Sequence, residues 1–494
     1  MGRDVAIRTM GLYFPVLAAF LVAFLRPNRN RAFPAALVGF VWTLPSLLAL
    51  QLLNLHMGWW TFHAMGGLFR GIPVDLYFGW AVLWGILPIL SFEETGIALV
   101  CAAFFALDLI LMPACSPVVV LSHRWLIGEL VALGFVLVPA QLFARWTIHD
   151  THLNTRALFH VLAAGGVFLF LMPEVFFTVR PGHQWDALFV EPAWLRNLEL
   201  QGIAMLGVTG VSAVQEFAQR GMGTPIPYDP PKRLVVSGLY RYLSNPMQFS
   251  CLLVMTAWGC VLRSPWLAGA GIMPFLYSLG LASWDEDEDM RVRFGKIWVE
   301  YRTNVRAWKL RFTPWFAPDR PIARLYVAET CGPCSEVRRW FEGHGAISLH
   351  IVAAEDHPAR DLQRITYDPM DGTDVDEGVS AFARALEHIN LGWALAGAGL
   401  RLPGVQHVVQ MLLDASGLGP RSIPRRPRKL PMETLKYCGS YRERSSMTKS
   451  GQTGGKLLSS SSVDPLSRSF DRYDTSGLSV EPSGRRKPPL ESKS

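Results

Sequence analysis

Two cysteines separated by two residues, Cys331-Gly332-Pro333-Cys334, are the most chemically pointed feature of this 494-residue chain. At that spacing one thiolate can attack a disulfide while the second thiol resolves the mixed intermediate; the same spacing can also supply half of a zinc site. Zinc needs a second cysteine pair or a close histidine pair to complete four ligands, and the sequence offers neither. The dithiol reading makes Cys331 the nucleophile and Cys334 its resolving partner. The other five cysteines carry no such pattern: Cys101, Cys115, Cys251 and Cys260 fall in or beside apolar runs, where free cysteine acts as a small hydrophobe, and Cys438 lies in a polar tail.

A second group of residues is denser but more dispersed in type. Gly221-Met222-Gly223-Thr224-Pro225-Ile226-Pro227 leads into Asp229-Pro230-Pro231-Lys232-Arg233-Leu234-Val235, then into Gly238-Leu239-Tyr240-Arg241-Tyr242-Leu243-Ser244-Asn245-Pro246. So many prolines and glycines forbid a continuing helix. Asn245 is a natural N-cap and Pro246 suits the first turn of the helix that follows. Two apolar stretches joined by Arg263-Ser264-Pro265 then return the chain to Asp285-Glu286-Asp287-Glu288-Asp289, followed by Phe294-Gly295, Trp298 and Tyr301. A helical hairpin therefore brings the Asn245 corner and the acidic run to one surface.

The elements that must position these groups follow from the distribution of charge. Of 47 Lys/Arg and 40 Asp/Glu, residues 1–284 hold only 16 and 13. Seventeen uncharged residues separate Arg8 from Arg26, thirty-eight separate Arg31 from Arg70, and twenty-one lie on each side of Arg263. About 20 apolar residues cross a bilayer, so this half reads as membrane helices near 9–25, 33–54, 76–92, 95–112, 126–144, 157–178, 199–217, 246–262 and 265–283, about nine in all. A wholly soluble enzyme is excluded. Residues 1–25 read as the first span, since no small-residue cleavage site follows the apolar run. Lys and Arg concentrate in loops 26–32, 145–156 and 218–245 and after 284, which places those segments and the rest of the chain in the cytoplasm. Within the spans Asp108 is the candidate for a buried partner or substrate contact; Glu174 and Glu216 read as interfacial and His160 as packing.

Beyond the membrane half, residues 285–420 carry 15 basic and 20 acidic side chains, whereas 421–494 carry 16 and 7. The latter segment, with Arg425-Arg426-Pro427-Arg428-Lys429 and Ser459 to Ser462, reads as a disordered basic tail, and nothing in it resembles a nucleic-acid module. Between the two, residues 323–328 predict a strand, 335–343 a helix with Val337, Trp340 and Phe341 on one face, and 347–352 a second strand. Cys331 thus sits at a strand-to-helix turn, where a helix N-terminus favours a thiolate.

Residues 218–312 resemble the isoprenylcysteine carboxyl methyltransferase family and its phospholipid methyltransferase relatives, through the ordered run GxGTPxPxDPPKxLVxxGxYRYxxNPM, the hairpin, the paired acids and the Phe-Gly that follows. The resemblance implies an S-adenosyl-L-methionine site at the cytoplasmic membrane face, open to a lipophilic or lipidated acceptor in the bilayer. It assigns Gly238, Tyr240, Arg241, Asn245 and Pro246 to the cofactor loop and helix start, Glu286 and Asp287 to the acidic pair, and Phe294, Gly295 and Tyr301 to the packing behind them. A helix N-terminus at Asn245 could receive the cofactor carboxylate, and the acids its ribose or ammonium. The chain departs from the family at Ser244, where Arg is usual, at Gln248 and Trp298, where Tyr is usual, and in having Glu-Asp for Glu-Glu. Residues 322–415 resemble thiol-disulfide oxidoreductases named for an Asp-Cys-Cys signature, with Ala328-Glu329 in place of their Asp-Gly and no clear cis-proline segment. That resemblance implies a thioredoxin-like fold and a protein thiol or disulfide partner.

The sequence therefore predicts an all-α polytopic membrane domain, N-terminal helices over 1–200 and a methyltransferase-like part over 201–318, then a small α/β thioredoxin-like domain over 322–418 and a disordered tail over 421–494. The expected function is S-adenosyl-L-methionine-dependent methyl transfer to a lipophilic acceptor, fused to a redox domain. The alternative is a membrane-anchored thiol-disulfide oxidoreductase on an inactive methyltransferase-like scaffold.

Overall fold

The protein is described here by a computed structural model covering residues 2–25, 31–180, 185–225, 230–278 and 283–426. Among these, six helices are long and apolar enough to cross a membrane: Arg3–Leu25, Ala32–Met57, Val74–Ser91, Ile97–Ala114, Trp125–Ile148 and Leu153–Val179. They are the helices of a multi-pass integral membrane protein. Arg3–Leu25 exposes Phe14, Phe20 and Phe24, each more than 60 % accessible, as a helix facing lipid on most sides should. Its other side meets Val74–Ser91 so closely that a Cβ on Gly79 would lie 2.0 Å from the Gly11 carbonyl oxygen. Close backbone approach of this kind is how helices pack where lipid removes the hydrophobic drive to associate.

The remaining three expected spans are helices of a different kind. Ala193–Gly221 is 29 residues long, but Gln201, Gln215 and Glu216 interrupt its apolar run. The hairpin arms are apolar yet short, Pro246–Val261 and Pro265–Leu276; the second begins at Pro265 and restarts at Met273, and residues 279–282 after it lie outside the described ones. Ala193–Gly221 packs along Pro246–Val261, where Ser250 Oγ donates to the Leu206 carbonyl at 2.8 Å. After the hairpin, Ser283–Asn304 kinks at Gly295, whose φ of 55° suits glycine. Leu234, Val236, Met290, Trp298, Tyr301 and Trp315 form a core between that helix and the Pro-rich loop.

From residue 323 the chain changes to a mixed α/β region. Ala323–Val327 pairs in parallel with Leu349–Ala353, the two joined by helix Gly332–Gly343, and antiparallel with Thr366–Asp368, which pairs with Asp376–Glu377. The four strands are thus ordered second, first, third, fourth. Leu325, Val327, Phe341, Tyr367, Ala381 and Ala385 fill the core between sheet and helices. The helix begins three residues before its expected start, because Cys331 is its N-cap and Pro333 is tolerated in the first turn. The expected tail begins later than residue 421: Arg421–Arg426 are described and bond to the sheet region, and the rest of that expectation, 427–494, lies outside the described residues.

Candidate functional site

The dithiol turn is built from below. The strand Ala323–Val327 runs into Ala328, Glu329 and Thr330, and the chain turns at Cys331 into the helix. Cys331 and Cys334 form a disulfide with Cα atoms 5.2 Å apart, and both are partly accessible. The turn is fixed by Glu355, which is 5 % exposed and follows the second strand. Its carboxylate accepts the backbone N–H of Glu329 at 3.1 Å, the N–H of Thr330 at 3.2 Å and the Thr330 hydroxyl at 3.1 Å. Burial alone would raise this carboxyl, but these donors to the charged form bring it below the ordinary glutamate range. Glu329 pairs with Arg338 at 2.9 Å and with Arg426.

The Pro- and Gly-rich loop before Pro246 divides in two. One group faces the α/β region. Gly238 has φ 61°, a Cβ there would stand 3.3 Å from the Glu216 carboxyl, and its N–H donates to Glu387 Oε2 at 2.8 Å. Arg241 lays its guanidinium over the Phe316 ring at 4.1 Å and stands 3.9 Å from Glu387. Tyr240 is buried, its carbonyl accepting the Tyr301 hydroxyl at 2.9 Å, and the Tyr242 hydroxyl donates to the Glu387 carbonyl at 2.9 Å. The second group lies at the start of Pro246–Val261. There Asn245 Nδ2 donates to Gln248 Oε1 at 3.1 Å and to Ser278 Oγ at 3.2 Å, and Ser278 also receives the Trp308 indole N–H at 3.3 Å. Asn245 is the N-cap by position without a side-chain capping bond, because its amide is turned toward Ser278. Ser244 Oγ receives Arg302 Nη1 at 2.5 Å, which brings a guanidinium beside Asn245. Glu286 and Asp287 lie on the Ser283–Asn304 helix, and their side chains are outside the described residues.

Beside the Gly238 turn lies an ion network that the sequence does not single out. Glu216, 1 % exposed, accepts two bonds from Arg384 Nη1 at 2.7 Å, one from Arg401 Nη1 at 2.8 Å and one from Ser237. Glu387, equally buried, stands 2.6 Å from Arg401 Nη2 and 3.4 Å from Arg384 Nη1. Arg384 Nε reaches Asp376 at 3.2 Å, which also receives Arg220 at 2.8 Å. Two acids and two arginines thus fasten the α/β region onto the Ala193–Gly221 helix and the Gly238 turn. Glu216 is accordingly buried within the protein. So is Glu174, also 1 % exposed, which pairs with Arg70 and receives the Trp185 indole N–H at 2.6 Å. Asp108 does have a buried neighbour, Glu129 of the Trp125–Ile148 helix.

The network has a pH consequence through its neighbour His388, which is fully buried. Its Nδ1 bonds the Ile347 carbonyl at 2.8 Å and its Nε2 lies 2.9 Å from the Tyr367 hydroxyl. A carbonyl can only accept, so Nδ1 carries the proton and Nε2 accepts from Tyr367. Burial first, then the Arg241 and Arg384 cations, push the imidazole well below its ordinary range. The folded protein therefore keeps His388 neutral where the unfolded chain protonates, and stability falls as pH drops below about 6.5. Between pH 7 and 5.5 the loss from this residue should be about 1 kcal/mol. In urea titrations of the protein at the two pH values, His388→Gln should remove that part of the difference.

Compared with protein-family models, curated proteins and solved structures, the chain matches none. The site must be read from its own geometry.

Proposed function

We propose that this protein is a membrane-anchored thiol-disulfide oxidoreductase whose thioredoxin-like domain is carried on a methyltransferase-like helical scaffold. The observation that carries the reading is the disulfide-forming Cys331–Cys334 pair at the mouth of a β-α-β unit, with Cys331 capping a 12-residue helix. In the forward reaction the Cys331 thiolate attacks a partner disulfide, forming a mixed disulfide and releasing one partner thiolate. The Cys334 thiolate then attacks Cys331 Sγ, which releases the second partner thiolate and leaves the intramolecular disulfide. Two electrons pass to the partner, and a dithiol reductant, protein or small molecule, restores the pair. Alkylation of the reduced protein as a function of pH, read at Cys331 by peptide mass mapping, should give a thiol pKa below the ordinary value of about 8.5. An ordinary value at both cysteines would leave them a structural pair.

A second reading, methyl transfer to a lipophilic acceptor on the cytoplasmic side, is favoured by the contact of Arg302 with Ser244 beside Asn245. The fit to S-adenosyl-L-methionine is partial. The Gly238 N–H and the Arg241 guanidinium are engaged by Glu387 and Phe316, which suits them to framing the loop rather than holding a ligand. Asn245 and the helix start at Pro246, with Glu286 and Asp287, remain the residues that would hold the cofactor, whose sulfonium methyl is the group transferred. Equilibrium binding of S-adenosyl-L-methionine to the detergent-solubilised protein, lost in Glu286→Ala, supports this reading; no binding to the unaltered protein removes it.

A further inference from the structure

The dithiol turn is flanked by a piece of the chain that composition assigns to the tail. Arg421–Arg426 runs along Asp361–Gln363: Ile423 N donates to the Leu362 carbonyl at 2.9 Å, Arg421 N to the Gln363 carbonyl at 3.1 Å, and Leu362 and Ile423 make an antiparallel bridge. Ile423 packs on Tyr326, Ala328, Ala354 and Leu362, the same small core on which Cys331 and Cys334 pack. Arg426 N donates to the Glu355 carbonyl at 2.8 Å, on the residue whose carboxylate fixes the dithiol turn. Its guanidinium pairs with Glu329, two residues before Cys331, and with Asp356 at 3.2 Å, while Arg425 Nε reaches Asp361 at 3.0 Å. These last contacts differ in kind from the Glu216 network. Arg425 and Arg426 keep 44 % and 54 % of their side-chain surface exposed, so each pair is weak and sensitive to salt.

Asp361–Gln363 lies outside the named strands, and an extended segment bonded to it through its backbone, with one apolar side chain in a pocket, has the local form of strand addition, by which polypeptides are received. We propose that the Leu362 segment beside the dithiol is a polypeptide-docking surface and that Arg421–Arg426 is its resident, displaceable occupant. The partner it fits is an extended protein segment with an apolar residue in the Ile423 pocket and basic residues facing Glu329, Asp356 and Asp361. Such a partner gains access to Cys331 by lifting the strap. This names the substrate class of the redox reading and rests on it for the chemistry, though not for the docking.

The test uses the full-length protein in detergent, reduced and then treated with a bulky maleimide, the rate being read at Cys331 by peptide mass mapping. Ile423→Asp combined with Arg426→Glu should raise that rate about tenfold at low ionic strength, the scale on which a half-buried isoleucine and exposed ion pairs act together. Salt should accelerate the unaltered protein and leave the variant unchanged. A synthetic peptide of residues 419–427 should slow the variant again, and a scrambled peptide should not. Equal rates in the two proteins, or a variant that the peptide does not slow, overturn the proposal. Failure of the redox reading is seen separately, as absence of a reducible Cys331–Cys334 disulfide, a 2 Da mass change, in both proteins.

Discussion

Glu216→Ala should destabilise the protein by about 3–5 kcal/mol, because it leaves Arg384 and part of Arg401 buried without their counter-charge. Neither arginine has an alternative that restores the balance. Arg384 keeps Asp376 at 3.2 Å and Glu387 at 3.4 Å, and Arg401 keeps Glu387, but Glu387 also holds the Gly238 N–H and faces Arg241. One carboxylate would then serve three arginines in a water-poor site. The loss should appear in urea unfolding as a lower midpoint with little change in slope, and it should be nearly the same at low and high salt, since buried pairs are poorly screened. A shift below about 0.5 kcal/mol, the size usual for a surface substitution, would show that water reaches the network. Adding Arg384→Met, Arg401→Met and Glu387→Gln to Glu216→Ala should recover much of the loss, as replacing a whole buried ion cluster by uncharged side chains often does.

The cysteine substitutions should have the largest effect on activity. Cys331→Ser should lower thiol-disulfide exchange by at least about a thousandfold, since removing a covalent nucleophile leaves only binding and orientation. Cys334→Ser should behave differently: Cys331 can still attack, but nothing resolves the product, so a mixed disulfide accumulates and can be isolated by gel shift. The asymmetry follows from position, because Cys331 is the N-cap and Cys334 lies inside the helix. If instead the Cys334 variant is inert and the Cys331 variant traps partner, the roles assigned here are reversed.

What the sequence made legible was local. Uncharged runs mark membrane helices because lipid excludes charge over about 20 residues, and the strand–turn–helix around Cys331 is written in adjacent residues. What it hid was distant. Glu216 looks like an acid at a helix end until Arg384 and Arg401, 168 and 185 residues later, are seen to fold onto it. Glu129 sits in an apolar run and declares itself only beside Asp108. Gly238 and Arg241 carry the pattern of a cofactor loop, yet their bonds go to Glu387, which no pattern links to them. Arg421–Arg426 has a tail's composition and is held by backbone pairing, to which composition is blind. In the second hairpin arm, uncharged length alone does not reveal that the helix restarts at Met273, beside Pro274.

The central claim, that Cys331 and Cys334 are a working redox pair, is tested most directly by their reduction potential in the full-length protein equilibrated with glutathione buffers. A reversible two-electron transition between about −120 and −270 mV, the range of catalytic dithiols, is the predicted result. A disulfide that stays closed below about −300 mV, or a pair that never oxidises, would contradict it.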